Sequence, residues 1–161
     1  MHMLDPMLNG GSAQVNWAEP DAVLGTYVAQ MDRLTEPVDP GVPLSLNVHG
    51  LLVSGELIPQ WQWFAEVSEL NDHEDAFYVG TAEHVKEQSD LAHDAVKIRD
   101  TGGEVTHRQY TALMTPTRYI HLRNARVHSP GLHSGDGGSL WRGRLADVSG
   151  WTPGTTTLIE D

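Results

Sequence analysis

Nine histidines and no cysteine set the terms on which this chain can do chemistry. Without a thiol there is no disulfide framework, no thiolate metal site and no cysteine nucleophile. His128 and His133 have four residues between them around Pro130-Gly131, with His121 upstream and Asp136 downstream. Convergence of these four would supply enough nitrogen and oxygen for zinc or nickel. The alternative is histidines at a strand end and on a surface loop, and it is the reading adopted, so no metal is expected. His84 with Glu87 and Asp90 with His93 are helix-spaced pairs that any polar helix face produces. In Gly131-Leu132-His133-Ser134-Gly135 the serine is misplaced for a nucleophile elbow and no strand directly precedes it. Asp136-Gly137-Gly138 lacks the Lys and Ser/Thr of a phosphate loop, and no strand, glycine loop and helix follow one another as dinucleotide binding requires. Neither catalysis nor a cofactor is expected.

Groups suited to contact rather than reaction are better represented. Arg118, Arg123, Arg126, Arg142 and Arg144 cluster late in the chain, and guanidinium groups suit bidentate carboxylate contacts. Surface pairing with the chain's own acids would also account for them, at little energy per exposed pair. Trp61, Trp63, Trp141 and Trp151 adjoin apolar segments, where aromatic bulk fills a core or its rim, or marks a docking surface if exposed. The candidate partner-binding set is Trp141, Arg142, Arg144, Trp151, Arg123 and Arg126.

The elements that must hold these residues can be read from periodicity. With 161 residues the chain has room for one domain and a core of its own. Residues 1–16 read as a mobile tail and 17–161 as a single α+β domain with a helical acidic insertion at about 59–100. Val23, Leu24, Tyr27, Val28, Met31 and Leu34 recur at helical steps, with Pro20 placed as a first helical residue and an end before Pro37. Three prolines in 36–43 make a stiff connector. Leu44, Leu46 and Val48 alternate with polar residues, Gly50 permits a turn, and 51–58 resumes as a second strand. Pro59 opens a helix with Trp63, Phe64, Val67 and Leu70 on one face, closed by Asn71–Asp75. A further helix from Thr81 to about 99 carries a thin apolar stripe and ends at Gly102-Gly103. A Thr-rich linker leads to a strand at 119–123, a loop at 129–138, a strand at 140–145 and a short last strand reaching 151–158 at the sheet edge. Alternation puts Trp141, Gly143 and Leu145 on one face and Leu140, Arg142 and Arg144 on the other.

Charge is divided along the chain. The net charge is -12, which disfavours a nucleic-acid surface. Residues 1–100 hold 17 acidic and 4 basic side chains, a balance of -13, against 5 and 6, a balance of +1, in 101–161. No apolar run approaches the ~20 residues of a membrane helix, so no membrane partner is expected and the chain reads as cytoplasmic.

Three segments carry a family resemblance. Leu44-Ser45-Leu46-Asn47-Val48-His49-Gly50 through Ser54-Gly55, then Tyr119-Ile120-His121-Leu122-Arg123-Asn124, then Trp141-Arg142-Gly143 through Val148-Ser149-Gly150-Trp151, resemble the gas vesicle accessory protein GvpU family. The resemblance implies a cytoplasmic, non-catalytic protein that associates with gas vesicles, air-filled protein shells, and modulates their clustering or surface organisation. Its partners would be vesicle shell or accessory proteins, with a homo-oligomer as a further option. The order of elements suggests a small antiparallel β-barrel of about five strands, Sm-like or SH3-like, ranked above an open sheet packed by helices. An Sm-like oligonucleotide-binding ring is the alternative function, and it would need the arginines on one face or pore. Trp151 stands open between two roles, docking anchor and core closure.

Overall fold

The computed structural model describes residues 19–71, 74–129 and 138–155. The tail at 1–16, most of the loop with His133 and Asp136, and residues 156–158 of the expected last strand lie outside the described residues.

Helix α1 (Ala22–Asp32) starts two residues later than Pro20 would place it, because Asp21 is the N-cap: its carboxylate accepts the Leu24 N–H at 2.8 Å. Leu24, Val28 and Met31 fall on one face and are buried. Strands β1 (Val42–Val48) and β2 (Leu51–Leu57) form the expected hairpin, turned by His49 and Gly50 with φ of 52° and 81°. Then come α2 (Gln60–Leu70), α3 (Ala76–Asp100), α4 (His107–Met114), β3 (Tyr119–His128), β4 (Ser139–Arg144), a 3-10 turn at Leu145–Asp147, and β5 (Val148–Pro153).

Several boundaries differ from the sequence reading. Helix α3 begins five residues before Thr81 because Asp75 caps it, accepting the Phe77 N–H at 2.9 Å. The linker contains α4, fixed by a capping box between Thr106 and Gln109. In α2 the buried residues are Gln62, Phe64 and Ser68, while Leu70 is exposed.

All pairings in the sheet are antiparallel, in the order β4-β3-β2-β1-β5. The expected barrel is corrected to an open sheet: β4 and β5 are its two edges, with no ladder between them among the described residues. A flat sheet would hold those edges ~19 Å apart at the usual strand spacing. Yet Arg144 and Val148 are joined through only Leu145–Asp147, a reach of about 14 Å at most. The sheet must therefore curl, although no hydrogen bonds close it.

Register assigns the two faces. Leu46 faces Val53, Leu57 faces Leu122, and Ile120 faces Gly143. With Leu44, Leu145 and the apolar side of α1 these form the core, each full Leu burial contributing about 1.5–3 kcal/mol. The other face of β3 carries His121 and Arg123 and is covered by Trp63, Phe64 and Glu66 of α2.

Candidate functional site

The residues expected to bind a partner separate into distinct environments. Trp141 pairs with Leu122, is half-buried and packs against the core. Its indole lies over Gly143, so the face shared by Trp141, Gly143 and Leu145 is the inner one, with Leu145 fully buried in the turn.

Trp151 pairs with Leu46 on the edge strand β5, and its indole N–H donates to Asp21 Oδ1 at 3.3 Å, the same oxygen that caps α1. One flank of the indole thus meets the core, while the other opens onto a groove of about 560 Å³ lined by Val23, Thr26, Tyr27, Gln30 and Pro153 among others. Val23, one of the apolar residues recurring at helical steps, is 66% exposed at this groove.

The arginines do not share one face. Arg123 lies in an acidic cradle, 3.0 Å from Asp39, 3.1 Å from Glu56 and 3.3 Å from Glu66, and so ties the proline-rich connector, β2 and α2 together. Gln62 completes the cradle, accepting the Val38 N–H at 2.8 Å while its amide donates to Val38 O and Glu66. Arg144 makes a bidentate contact with Asp147, both bonds 2.8 Å, and the pair holds the carboxyl below and the guanidinium above their ordinary ranges. Arg126 is exposed opposite Ser54 on β2 and has no ion pair among the described residues.

Arg142 is held differently. Its Nε donates to Nε2 of His121 at 3.1 Å, and its guanidinium carbon lies 3.6 Å from the Tyr119 ring centroid. Burial, and then the Arg142 charge, push the His121 pKa down to about 3, so the imidazole is neutral and accepts this bond. The ring proton therefore belongs on Nδ1, which is buried without a hydrogen-bond partner among the described residues.

Arg142 and Tyr119 line a second pocket, of about 390 Å³, and Asp32 lines it too. Asp32 Oδ1 accepts the Gln60 N–H at 2.9 Å, and Ser89 donates to the Asp32 carbonyl at 2.7 Å. Burial raises the Asp32 pKa from 3.8 to about 7, against the opposing pull of the Gln60 N–H. Between these pH values the folded chain holds a proton that the unfolded chain has released, so this group's contribution to stability falls as pH rises. Asp32→Asn should consequently stabilise the chain by about 1–2 kcal/mol at pH 8, with the difference shrinking toward pH 5. Urea unfolding at the two pH values checks this, and a gain that is larger at pH 5 would contradict it.

Among the described residues no group of three or more His, Cys, Asp or Glu side chains could hold a metal. His121 is buried against Trp63 and Phe64, His128 lies 3.0 Å from the Ser54 hydroxyl, and His133 and Asp136 lie outside the described residues. In the helix pairs the carboxylates have cationic partners, Glu87 receiving Arg108 and Asp90 receiving Lys86, each at 2.6 Å. Sequence reasoning missed the groove on α1 and the Asp32 pocket. A signal for the groove existed, since Val23 and Tyr27 form a second apolar stripe beside Leu24, Val28 and Met31, more than one buried face requires.

No described helix is long and apolar enough to cross a membrane. A family model described as "Gas vesicle protein GvpU-like" matches residues 21–156. No curated protein and no solved structure matches the chain.

Proposed function

Because the chain belongs to the GvpU-like gas vesicle protein family, we propose that it associates with gas vesicles without catalysing a reaction and modulates their clustering or surface organisation. The contact is made through the groove between α1 and β5, to a shell or accessory protein of the vesicle. The observation that carries this reading is Trp151, whose indole lines an apolar groove beside the exposed Val23 at a sheet edge. Aromatic anchors in apolar pockets dominate binding energies where they occur, and sheet edges are ready-made pairing sites.

The charge division supports the same orientation. The acidic side chains of α2 and α3 belong to a helical layer in which α2 packs on the face of β3 opposite the core and α3 packs on α2, whereas the groove is lined on its β side by Trp151 and Pro153. A coat of like charge turned outward would hold neighbouring vesicles apart, and salt would weaken that repulsion.

Co-sedimentation with purified vesicles tests the contact. Trp151→Ala should weaken it by about 2 kcal/mol or more, and Val23→Asp should weaken it with no change in melting temperature, because Val23 is 66% exposed. Undiminished co-sedimentation of the Val23→Asp variant would place the contact elsewhere. A Trp151→Ala loss proportional to a fall in melting temperature would make that residue structural. Light scattering of the vesicles at low and high salt reads the clustering effect.

A further inference from the structure

Of the ten basic residues in a chain with 22 acidic ones, three stand at a single pocket. Arg33 at the end of α1, Arg118 before β3 and Arg142 on β4 all line the cavity of about 390 Å³ between the helices and the sheet. Among the described residues none of the three has a carboxylate within 4.0 Å, whereas Lys86, Arg108, Arg123 and Arg144 all do. Acidic groups are more than twice as numerous as basic ones, so three guanidinium groups without ion pairs around one concavity form a local positive site in a negative molecule.

Arg142 is also oriented for a ligand. The Tyr119 ring supports one face of its guanidinium and neutral His121 takes its Nε proton. Both terminal Nη groups then remain for an acceptor, and none is found among the described residues. A planar fork held in this way, in a cavity within the size range of small-molecule sites, suits an oxyanion.

We propose that this pocket binds a small molecule bearing a doubly charged oxyanion such as a phosphate ester, with Arg118 and Arg142 as its principal anchors and Asp32 as the carboxylate of its lining. The site is separate from the α1–β5 groove and does not rest on the vesicle-docking reading. The charged and titratable side chains of the lining are Asp32, Arg33, Arg118, Tyr119 and Arg142, while α2, α3 and α4 contribute only uncharged ones. Protonation of Asp32, whose pKa is raised to about 7, removes the pocket's one carboxylate, so anion affinity should rise as pH falls through neutrality.

Inorganic sulfate is the probe, since its charge is constant across this pH range. Two-dimensional NMR of the full chain during a sulfate titration, against chloride at matched ionic strength, reads the site directly. The expected result is saturable shifts at Tyr119 and at the Arg118 and Arg142 Nε–H groups. Arg118→Gln, which removes an exposed side chain, should weaken them about tenfold or more, and Arg99→Gln should not. Asp32→Asn should abolish the pH dependence. No saturable shift beyond chloride, shifts spread equally over Arg99 and Arg126, or an unchanged response in Arg118→Gln would each overturn the proposal.

Discussion

Gly143→Val is expected to destabilise the folded chain by about 2–3 kcal/mol, the cost of overpacking a site with no room for a side chain. A Cβ built on Gly143 would fall within the Trp141 indole, 2.6 Å from Cζ2. Trp141 is the side chain that must yield, and it cannot swing aside freely because its ring is packed against the core beside Leu122. Displacing it exposes apolar area on both the indole and the sheet. Urea unfolding measures the loss, and a double-mutant cycle identifies the cause. In a Trp141→Leu background the same substitution should cost less than about 1 kcal/mol, because the shorter side chain vacates the space over residue 143. An equal penalty in both backgrounds would mean that the backbone, not the indole, requires glycine here.

The second large effect is expected at Arg123. Its side chain is 18% exposed and its two less exposed partners, Glu56 and Glu66, are about a quarter exposed, so three charges share one partly dehydrated cradle. Removing one partner of a fully buried pair typically costs about 3–5 kcal/mol. The partial exposure of this cradle, and the 83% exposure of Asp39, reduce the expectation for Arg123→Met to about 2–3 kcal/mol. Most of that loss is the repulsion and desolvation left on Glu56 and Glu66 rather than the lost attraction. Adding Glu66→Gln to Arg123→Met should therefore recover part of the stability, and a double variant less stable than the single one would refute this account.

Arg123 also illustrates what could be read from the sequence. Its residue type and the strand around it were legible, but its partners were not, because the carboxylates lie 84, 67 and 57 positions away and meet it only through the pairing of β2 with β3 and the packing of α2. Local signals were read well where one residue type has one meaning. The β1–β2 hairpin is the example, with alternation over 44–48 before His49-Gly50 and an apolar run after it. They were misread where a residue serves either of two neighbours: Asp75 looks like the end of α2 and is the cap of α3. Helix α4 was concealed by threonines, although Thr106 and Gln109 spell its capping box. Strand β3 runs five residues beyond the expected 123 because Asn124, at φ 50°, breaks the alternation that marks a strand without ending it. Trp151 of the proposed contact is legible by type, whereas its half-buried state follows from β5 lying beside β1 and α1, which no local pattern encodes.

That neighbouring of β5 and β1 has a consequence for the order of events in time. Leu44 pairs with Pro153 and Ser45 donates to the carbonyl of Gly154, a separation of 109 residues in the latter case. During synthesis β1 leaves the ribosome well before β5, so one of its two edges has no native strand to meet until about a hundred further residues have been made. Hairpin and helices can form meanwhile from local contacts, but the β1–β5 ladder waits on β5 and carries the loop-closure cost of everything between. Until then the β1 edge is open to any other extended segment, including the same edge on a second nascent chain. The acidic first hundred residues, at a balance of -13, would keep such chains apart during that interval.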